Sequence, residues 1–468
     1  MPTNCITSKN IISHNLYFKI MKLSKYIYIT KAAFSDTEDE KYFLFSTRSS
    51  LSILVDYNTL IKLQNDDFSE LDETQRAKLK KYKILVPKNE NEFKTIYEEN
   101  VKSKLSNEIL SFTIQPTANC QFGCYYCGQD HASHLMTEKV EDYCLHRIKN
   151  AISKNRRYNK LAITWYGGEP LLGLPVIKRV STRIQSLCQD FGLKYRADIV
   201  TNGYLLREKT FLDLLIKHSV KNYQVTIDGI AKTHDKRRVL KRNGGKTFDI
   251  IYRNIKEIVR LPEYTDYKAH INIRINIDKT NFLEVDELLN KLLEDDIANK
   301  ISISFAPIED WGGNDAGKAS FSHEDFSKLH MQWIKFCIRH DINVKNLIPR
   351  RSYGTCMVET EFGEVIDAYG HTYPCWEFPY TAYKGEEHMI SSLKTPDMQK
   401  NEKVTLLDFS KKVLNGEYEC STCIFYPLCG GGCPLALHEG RNACPTYKFD
   451  IAQRLFLDYE IRRNGFEK

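Results

Sequence analysis

No run of 18 apolar residues occurs anywhere in the 468-residue chain, so no segment is expected to cross a membrane as a helix. The opening stretch, MPTNCITSKNIISHNLYFKIMKLSK, has neither a continuous apolar core nor a small-residue cleavage site, and does not resemble a secretory signal. Met1 and Met21 both remain open as the first residue. There are no internal repeats and no low-complexity tract. Charge of one sign is not in great excess either: 67 Lys and Arg against 60 Asp and Glu leave a net +7. The Lys-rich stretches Lys78–Lys83 and Lys236–Lys246 read as solvated faces rather than nucleic-acid sites. With 42% apolar and 27% charged residues, the composition is that of an ordinary soluble globular protein. The length suits two or three domains, and the expected compartment is the cytoplasm.

Cysteine, by contrast, is plentiful, with 14 residues. In a reducing compartment these are buried apolar groups or metal ligands rather than disulfides. Cys5, Cys144, Cys188 and Cys337 stand alone. The other ten fall into two groups, 120–127 and 356–444, and such clustering argues for metal.

Along the chain, residues 1–21 read as a tail. Residues 22–100 combine strand-like alternation (YIYITKAAF, YFLFSTRSSLSILVD) with LDETQRAKLKKYKILVP, a short helix running into a strand; they suit a small α+β module. Between 105 and 320 six apolar, β-branched runs, beginning at SFTIQPT and ending at ISISFAPI, alternate with amphipathic stretches. That alternation predicts a parallel sheet of βα units. Six units are too few for a closed eight-stranded barrel, so the expected fold class is α/β, an open, partial (β/α)6 TIM-like barrel. Residues 321–349 read as a connecting helix. Residues 350–450 have weak periodicity and much Gly, Pro, Tyr and Cys, so metal ligation would have to supply folding free energy there, on the order of 10 kcal/mol. Residues 451–468 read as a closing helix.

CQFGCYYC (120–127) follows the first strand at its C-terminal end, where parallel αβ sheets bind ligands. Three thiolates can hold three corners of a [4Fe–4S] cubane and leave the fourth iron open. The competing reading is a zinc site completed by His131 or His134.

CQFGCYYC resembles the CxxxCxxC motif of the radical S-adenosylmethionine (SAM) enzymes, with Tyr126 as the aromatic before the last cysteine. WYGGEP, with Gly167, Gly168 and Glu169 at the end of strand two, is similar to the family's GGE motif. VTNG ends strand three. TIDGIAKTHDKRR, with Thr226 and Asp228 and then His234, Asp235 and Arg238, resembles SIDG…HDxxR, and Asn276 ends strand five. The resemblance covers about residues 110–310. It implies that Cys120, Cys124 and Cys127 hold a [4Fe–4S] cluster whose open iron chelates SAM, and that an electron cleaves the sulfonium to a 5′-deoxyadenosyl radical. Gly167, Gly168 and Glu169 would meet the methionine ammonium. Arg238 suits the carboxylate. Tyr126, Thr226, Asp228 and Asn276 complete the expected cofactor contacts.

The second group, CX13GX4C…CX2CX5CX3C…C, resembles the SPASM domain, which implies two auxiliary iron–sulfur clusters. By that family's interleaved pattern, Cys420, Cys423, Cys429 and Cys444 hold the outer one, and Cys356, Cys375 and Cys433 the inner one, a ligand short; Cys337 is a further candidate. The competing reading is a pair of zinc ribbons. GGG at 430–432 suits a backbone passing close to a cluster.

SPASM proteins mostly modify peptides. Anaerobic sulfatase maturases make formylglycine and carry an aspartate base directly after the cysteine of GX4C. Trp376 stands at that place here, with Glu377 one residue on, so no catalytic base is assigned. Maturases of ribosomally made peptides often begin with a leader-recognition module of the size of 22–100. The expected function is therefore a peptide maturase that installs a thioether, C–C or C–O crosslink. Its expected partners are a precursor peptide with a leader and an electron donor such as flavodoxin or ferredoxin, with no nucleic acid and no membrane. A formylglycine-generating enzyme and a non-catalytic zinc protein are the alternatives.

Overall fold

The computed structural model describes residues 20–32, 40–155, 157–311, 313–344, 347–353, 356–360, 363–381, 387–394 and 408–464. Residues 1–19 of the expected tail, Cys5 among them, lie outside these. The chain divides into two compact units: residues 1–105, 346–355 and 409–466, and residues 106–345 and 356–408 with the last two. The stretch 350–450 therefore contributes to both.

The first unit opens with β1 (Met21–Leu23), β2 (Ile27–Ala32), β3 (Lys41–Ser46) and β4 (Leu51–Asp56), then α1 (Tyr57–Gln64), α2 (Glu73–Lys81), β5 (Leu85–Pro87) and α3 (Glu92–Leu105). Strands β2, β3 and β4 make an antiparallel sheet in that order, and β1 pairs with β5. Asp72 starts α2 with a reciprocal capping box to Gln75. Strand β3 is apolar on both faces because both are covered. Leu44 packs into a core with Leu60, Leu63 and Leu79. Phe43 and Phe45 face a second core with Phe425, Leu428, Ile451 and Leu455. The N-terminal module thus shares its core with the cysteine-rich C-terminal segment, and Thr47 Oγ1 donates to Ile424 O at 2.6 Å.

In the second unit the six anticipated strands form: β6 (Ile109–Ile114), β8 (Lys160–Trp165), β9 (Lys194–Thr201), β10 (Val220–Thr226), β12 (His270–Ile277) and β13 (Ser302–Pro307). They are parallel and lie side by side in chain order, the order of a partial barrel. A short pair, β7 (Phe122–Cys124) and β11 (Arg238–Leu240), lies apart from this sheet. At the β6 edge the sheet continues through β14 (Glu364–Ile366), parallel to β6, and β15 (His371–Tyr373), antiparallel to β14. Helices follow the strands. The first, Glu138–Lys154, is N-capped by Thr137 and buries Val140, Cys144, Ile148 and Ile152, a stripe of helical period. Cys144, Cys188 and Cys337 all sit in the main apolar core, where they pack as small hydrophobes. Among the described residues no helix is long and apolar enough to span a membrane.

Candidate active site

The loop after β6 is closed at its base. Thr117 bridges Leu135, Ala118 N–H donates to His134 O at 3.0 Å and Met136 N–H to Pro116 O at 2.9 Å. Inside that clasp lie the three cysteines. Strand β7 carries Cys124 and pairs antiparallel with β11, which sets Arg238 opposite Cys124. All three thiols line one cavity of about 470 Å³, a volume typical of small-molecule sites.

Tyr126, Gly167, Gly168, Thr226, Arg238 and Asn276 line the same cavity. The Tyr126 hydroxyl is their hub. It donates to Asp228 Oδ2 at 2.6 Å and accepts from Arg238 Nη1 and from Asn276 Nδ2 at 3.1 Å. Asp228, wholly buried, does not line the cavity; it holds Tyr126 and accepts from Asn276 N–H at 3.1 Å. Arg237, the neighbour of Arg238, turns away to Asp278 at 3.0 Å.

Glu169 is placed otherwise than expected. Its carboxylate accepts from Leu171 N–H at 3.0 Å, Thr201 Oγ1–H at 2.6 Å and Asn202 N–H at 2.7 Å. It is fully buried and is not part of the cavity wall. Burial pushes its pKa up while these three bonds oppose the shift. Its visible work is to tie the β8 loop to the end of β9. Gly168 makes a close approach: a Cβ there would stand 2.5 Å from Asn119 O, and Glu169 N–H donates to that carbonyl at 2.8 Å. Gly167 has φ +117°, a region open to glycine.

Several wall residues carried no assigned role: Asn202 of VTNG, Tyr166 of WYGGEP, Gln224, Arg274, Trp376 and Glu377. A signal for two of them was present. Gln224 and Arg274 stand two residues before Thr226 and Asn276, so the period of two puts each on the same strand face. Trp376 stacks on Tyr166 with centroids 5.2 Å apart and planes at 28°.

The donors fit a cluster and a polar cofactor. Cys120, Cys124 and Cys127 are free of disulfides. Burial pushes the Cys120 thiol up to about 12 and Cys124 to about 11, so without a metal to hold them as thiolates they stay neutral. Asn202 Nδ2 is buried without a partner among the described residues, a donor left over on the cavity wall. No three His, Cys, Asp or Glu side chains among the described residues converge on a single ion. A cubane asks for something else, one thiolate per iron, with the sulfurs farther apart than around one zinc. His134 is stacked on Tyr369 at 4.1 Å, and His131 meets Lys241.

In the first unit Cys420, Cys423, Cys429 and Cys444 lie near enough that Cys429 feels the charge of the other three; burial is the larger effect and pushes its thiol up to about 12. Gly431 N–H donates to Cys429 Sγ at 3.4 Å, and Lys448 Nζ to Cys444 Sγ at 3.4 Å. Cys433 instead accepts from Ala436 N–H at the start of Pro434–His438. Cys356 and Cys375 belong to the second unit, the former exposed and the latter buried.

Residues 114–265 match the Radical SAM superfamily. The chain carries a radical SAM domain. A cysteine-type anaerobic sulfatase-maturating enzyme of Clostridium novyi (strain NT) is 25% identical over 387 residues, 77% of this chain and 95% of that protein. Two solved structures share the fold. Native anSMEcpe with bound AdoMet has TM-score 0.55, 18% identity and covers 76% of this chain and 97% of its own. Native anSMEcpe with bound AdoMet and Cp18Cys peptide has TM-score 0.53, 19% identity and covers 76% and 98%. The radical SAM family implies a [4Fe–4S] cluster and SAM, and the cavity residues of this domain fit both.

Proposed function

We propose that this radical SAM enzyme acts on a ribosomally made precursor peptide, binding SAM through the cavity wall and closing a thioether, C–C or C–O crosslink. The observation that carries the reading is the convergence of three free thiols, the Tyr126–Arg238–Asn276 hub and an aromatic wall on one cavity at the strand ends. When bound, the clusters and SAM supply a 5′-deoxyadenosyl radical to take a hydrogen atom and a sink for the electron left behind. Cys120, Cys124 and Cys127 would hold the catalytic cluster. Arg238, held by Tyr126, would meet the SAM carboxylate in a charge-assisted bond. Gly167 and Gly168 would let the methionine end approach the backbone. Cys420, Cys423, Cys429 and Cys444, all in one unit, would hold an auxiliary cluster. The antiparallel sheet of the N-terminal module ends at β2 and β4, edges to which an extended leader could add as a further strand. An acidic flavodoxin or ferredoxin would supply the electron.

Support for a peptide substrate comes from the relatives, one named for sulfatase maturation and one bound to a peptide. The same relative favours a second reading, formylglycine formation. One experiment separates the two. The enzyme is loaded with iron and sulfide without oxygen, given SAM, a reductant and the precursor encoded nearest to its gene, and the product is analysed by mass spectrometry. Crosslinking removes two hydrogen atoms and creates no aldehyde; formylglycine carries an aldehyde that a hydrazine probe traps. If no 5′-deoxyadenosine forms with clusters verified, both readings fail.

Trp376 offers a narrower prediction. It is 38% exposed, lines the cavity and stacks on Tyr166. Trp376→Ala removes an aromatic face worth about 1 kcal/mol. The KM for peptide should rise roughly fivefold to tenfold, while SAM cleavage without peptide keeps its wild-type rate. An unchanged KM would remove Trp376 from the substrate wall.

A further inference from the structure

One basic stretch has no role in the reading so far. Strand β11, whose first residue faces Cys124, runs into an exposed turn at residues 241–246. The turn is firmly built. Lys241 N–H donates to Gln121 O at 2.9 Å, Leu240 N–H to Gly245 O at 3.1 Å and Gly244 N–H to Leu240 O at 2.8 Å. Its far stem is pinned by Asp235, whose Oδ1 accepts from Thr247 and Phe248 N–H at 2.8 and 2.9 Å. The aliphatic stem of Lys241 lies over Gly123, where a Cβ would meet Lys241 Cγ at 3.4 Å. The turn is thus a single layer laid directly on the cysteine loop.

Its surface is cationic. Lys241, Arg242 and Lys246 are exposed on the turn, and Lys232 and Lys236 are exposed one helical turn apart on the helix Ala231–Arg237 that leads into β11. None of the five makes an ion pair among the described residues. The acids nearby in sequence are Asp228, Asp235 and Asp249; Asp228 is fully buried and Asp235 is committed to the two backbone N–H groups, so the cations prevail. Five cations lie on this short stretch, and Lys241 among them lies against the loop whose cysteines would receive an electron from outside.

We infer that this basic turn is the docking surface for an acidic one-electron carrier protein of the flavodoxin or ferredoxin class. The inference rests on the reading of Cys120, Cys124 and Cys127 as cluster ligands. In the step it serves, the reduced carrier loses one electron and the cluster gains it; no bond forms or breaks and no proton moves. Opposite charges steer the carrier to the turn, which raises the encounter rate and makes it sensitive to salt.

The test reverses charge away from the cavity: Lys236→Glu, Arg242→Glu and Lys246→Glu together. Binding of an acidic flavodoxin to the iron-free, SAM-free protein is measured by calorimetry at low and near-physiological salt. Wild-type affinity should fall as salt rises, and at low salt the variant should bind at least about tenfold more weakly. In the loaded enzyme, 5′-deoxyadenosine formation driven by flavodoxin and its reductase should fall about as much, while formation driven by dithionite matches wild type. Equal affinity of variant and wild type for flavodoxin overturns the proposal, whatever the activity. A parallel loss with dithionite also overturns it, by placing the damage in the cluster site. Absence of 5′-deoxyadenosine from the wild type with dithionite overturns the cluster reading instead, and the binding result still decides the docking surface.

Discussion

Replacing Cys120, Cys124 and Cys127 together by Ala should leave no 5′-deoxyadenosine above background, while iron bound elsewhere stays in place. The three thiols have one clasped loop and one cavity in common, and among the described residues no other cysteine lines that cavity. A cubane held by three protein thiolates has no reserve, because each corner lost frees an iron. Cys420, Cys423, Cys429 and Cys444 lie in another compact unit with a core of its own, so they should keep their metal. The expected reading is a loss of about four iron atoms from a total of roughly ten to twelve, with matching sulfide loss. The variant should still fold: the loop is closed by the Thr117–Leu135 bridge and by backbone bonds that need no thiol. Iron and sulfide analysis, far-ultraviolet circular dichroism and chromatographic assay of 5′-deoxyadenosine check the three parts. Retained cleavage would show that the thiols hold no catalytic cluster.

Much of the barrel was legible because its signals are local. Strand β12, HINIRINI, alternates isoleucine with polar residues, and Ile271, Ile273, Ile275 and Ile277 are all buried, so the period of two marks the strand and its apolar face. The helix at Glu138–Lys154 announces itself through Thr137 and its apolar stripe. The motif residues at strand ends could be placed because, in parallel sheets, those ends line the ligand site. Direction was not legible. Glu169 stands where the motif puts it, yet its carboxylate is spent on Leu171, Thr201 and Asn202, since a residue's place in a loop does not fix which way its side chain turns.

Long-range partnership was also out of reach. The run YFLFS in β3 says that both strand faces are buried, but not by what. One cover comes from nearby, through Leu60 and Leu79. The other comes from Phe425, Leu428 and Leu455, nearly four hundred residues on. No periodicity encodes that second partner. The wall residues Trp376 and Tyr166 were hidden for a similar reason: they belong to separate loops, and only the folded chain stacks them.

Asp228→Ala should cause the largest loss of stability of any single change at the site, about 3–5 kcal/mol. The carboxylate is fully buried and compensated from three directions. Tyr126 O–H donates at 2.6 Å, Asn276 N–H at 3.1 Å, and Arg237 Nε lies at 3.8 Å. Removing it leaves a buried guanidinium with Asp278 as its remaining acidic partner, and Tyr126 O–H without its acceptor. A stranded buried charge costs far more than the net worth of the pair. The calorimetric transition of this unit should fall by several degrees, at about 2 °C or more per kcal/mol. The effect should reach the cavity as well, because Tyr126 is the group that Arg238 and Asn276 both hold. With the hub loosened, SAM affinity should drop at least about tenfold, the worth of one charge-assisted bond. Asp228→Asn keeps the shape and one acceptor oxygen for Asn276 N–H, so it should lose less of both. If the alanine variant melts with the wild type and binds SAM as tightly, the network does not position the cofactor-binding residues, and Arg238 must be held by other means.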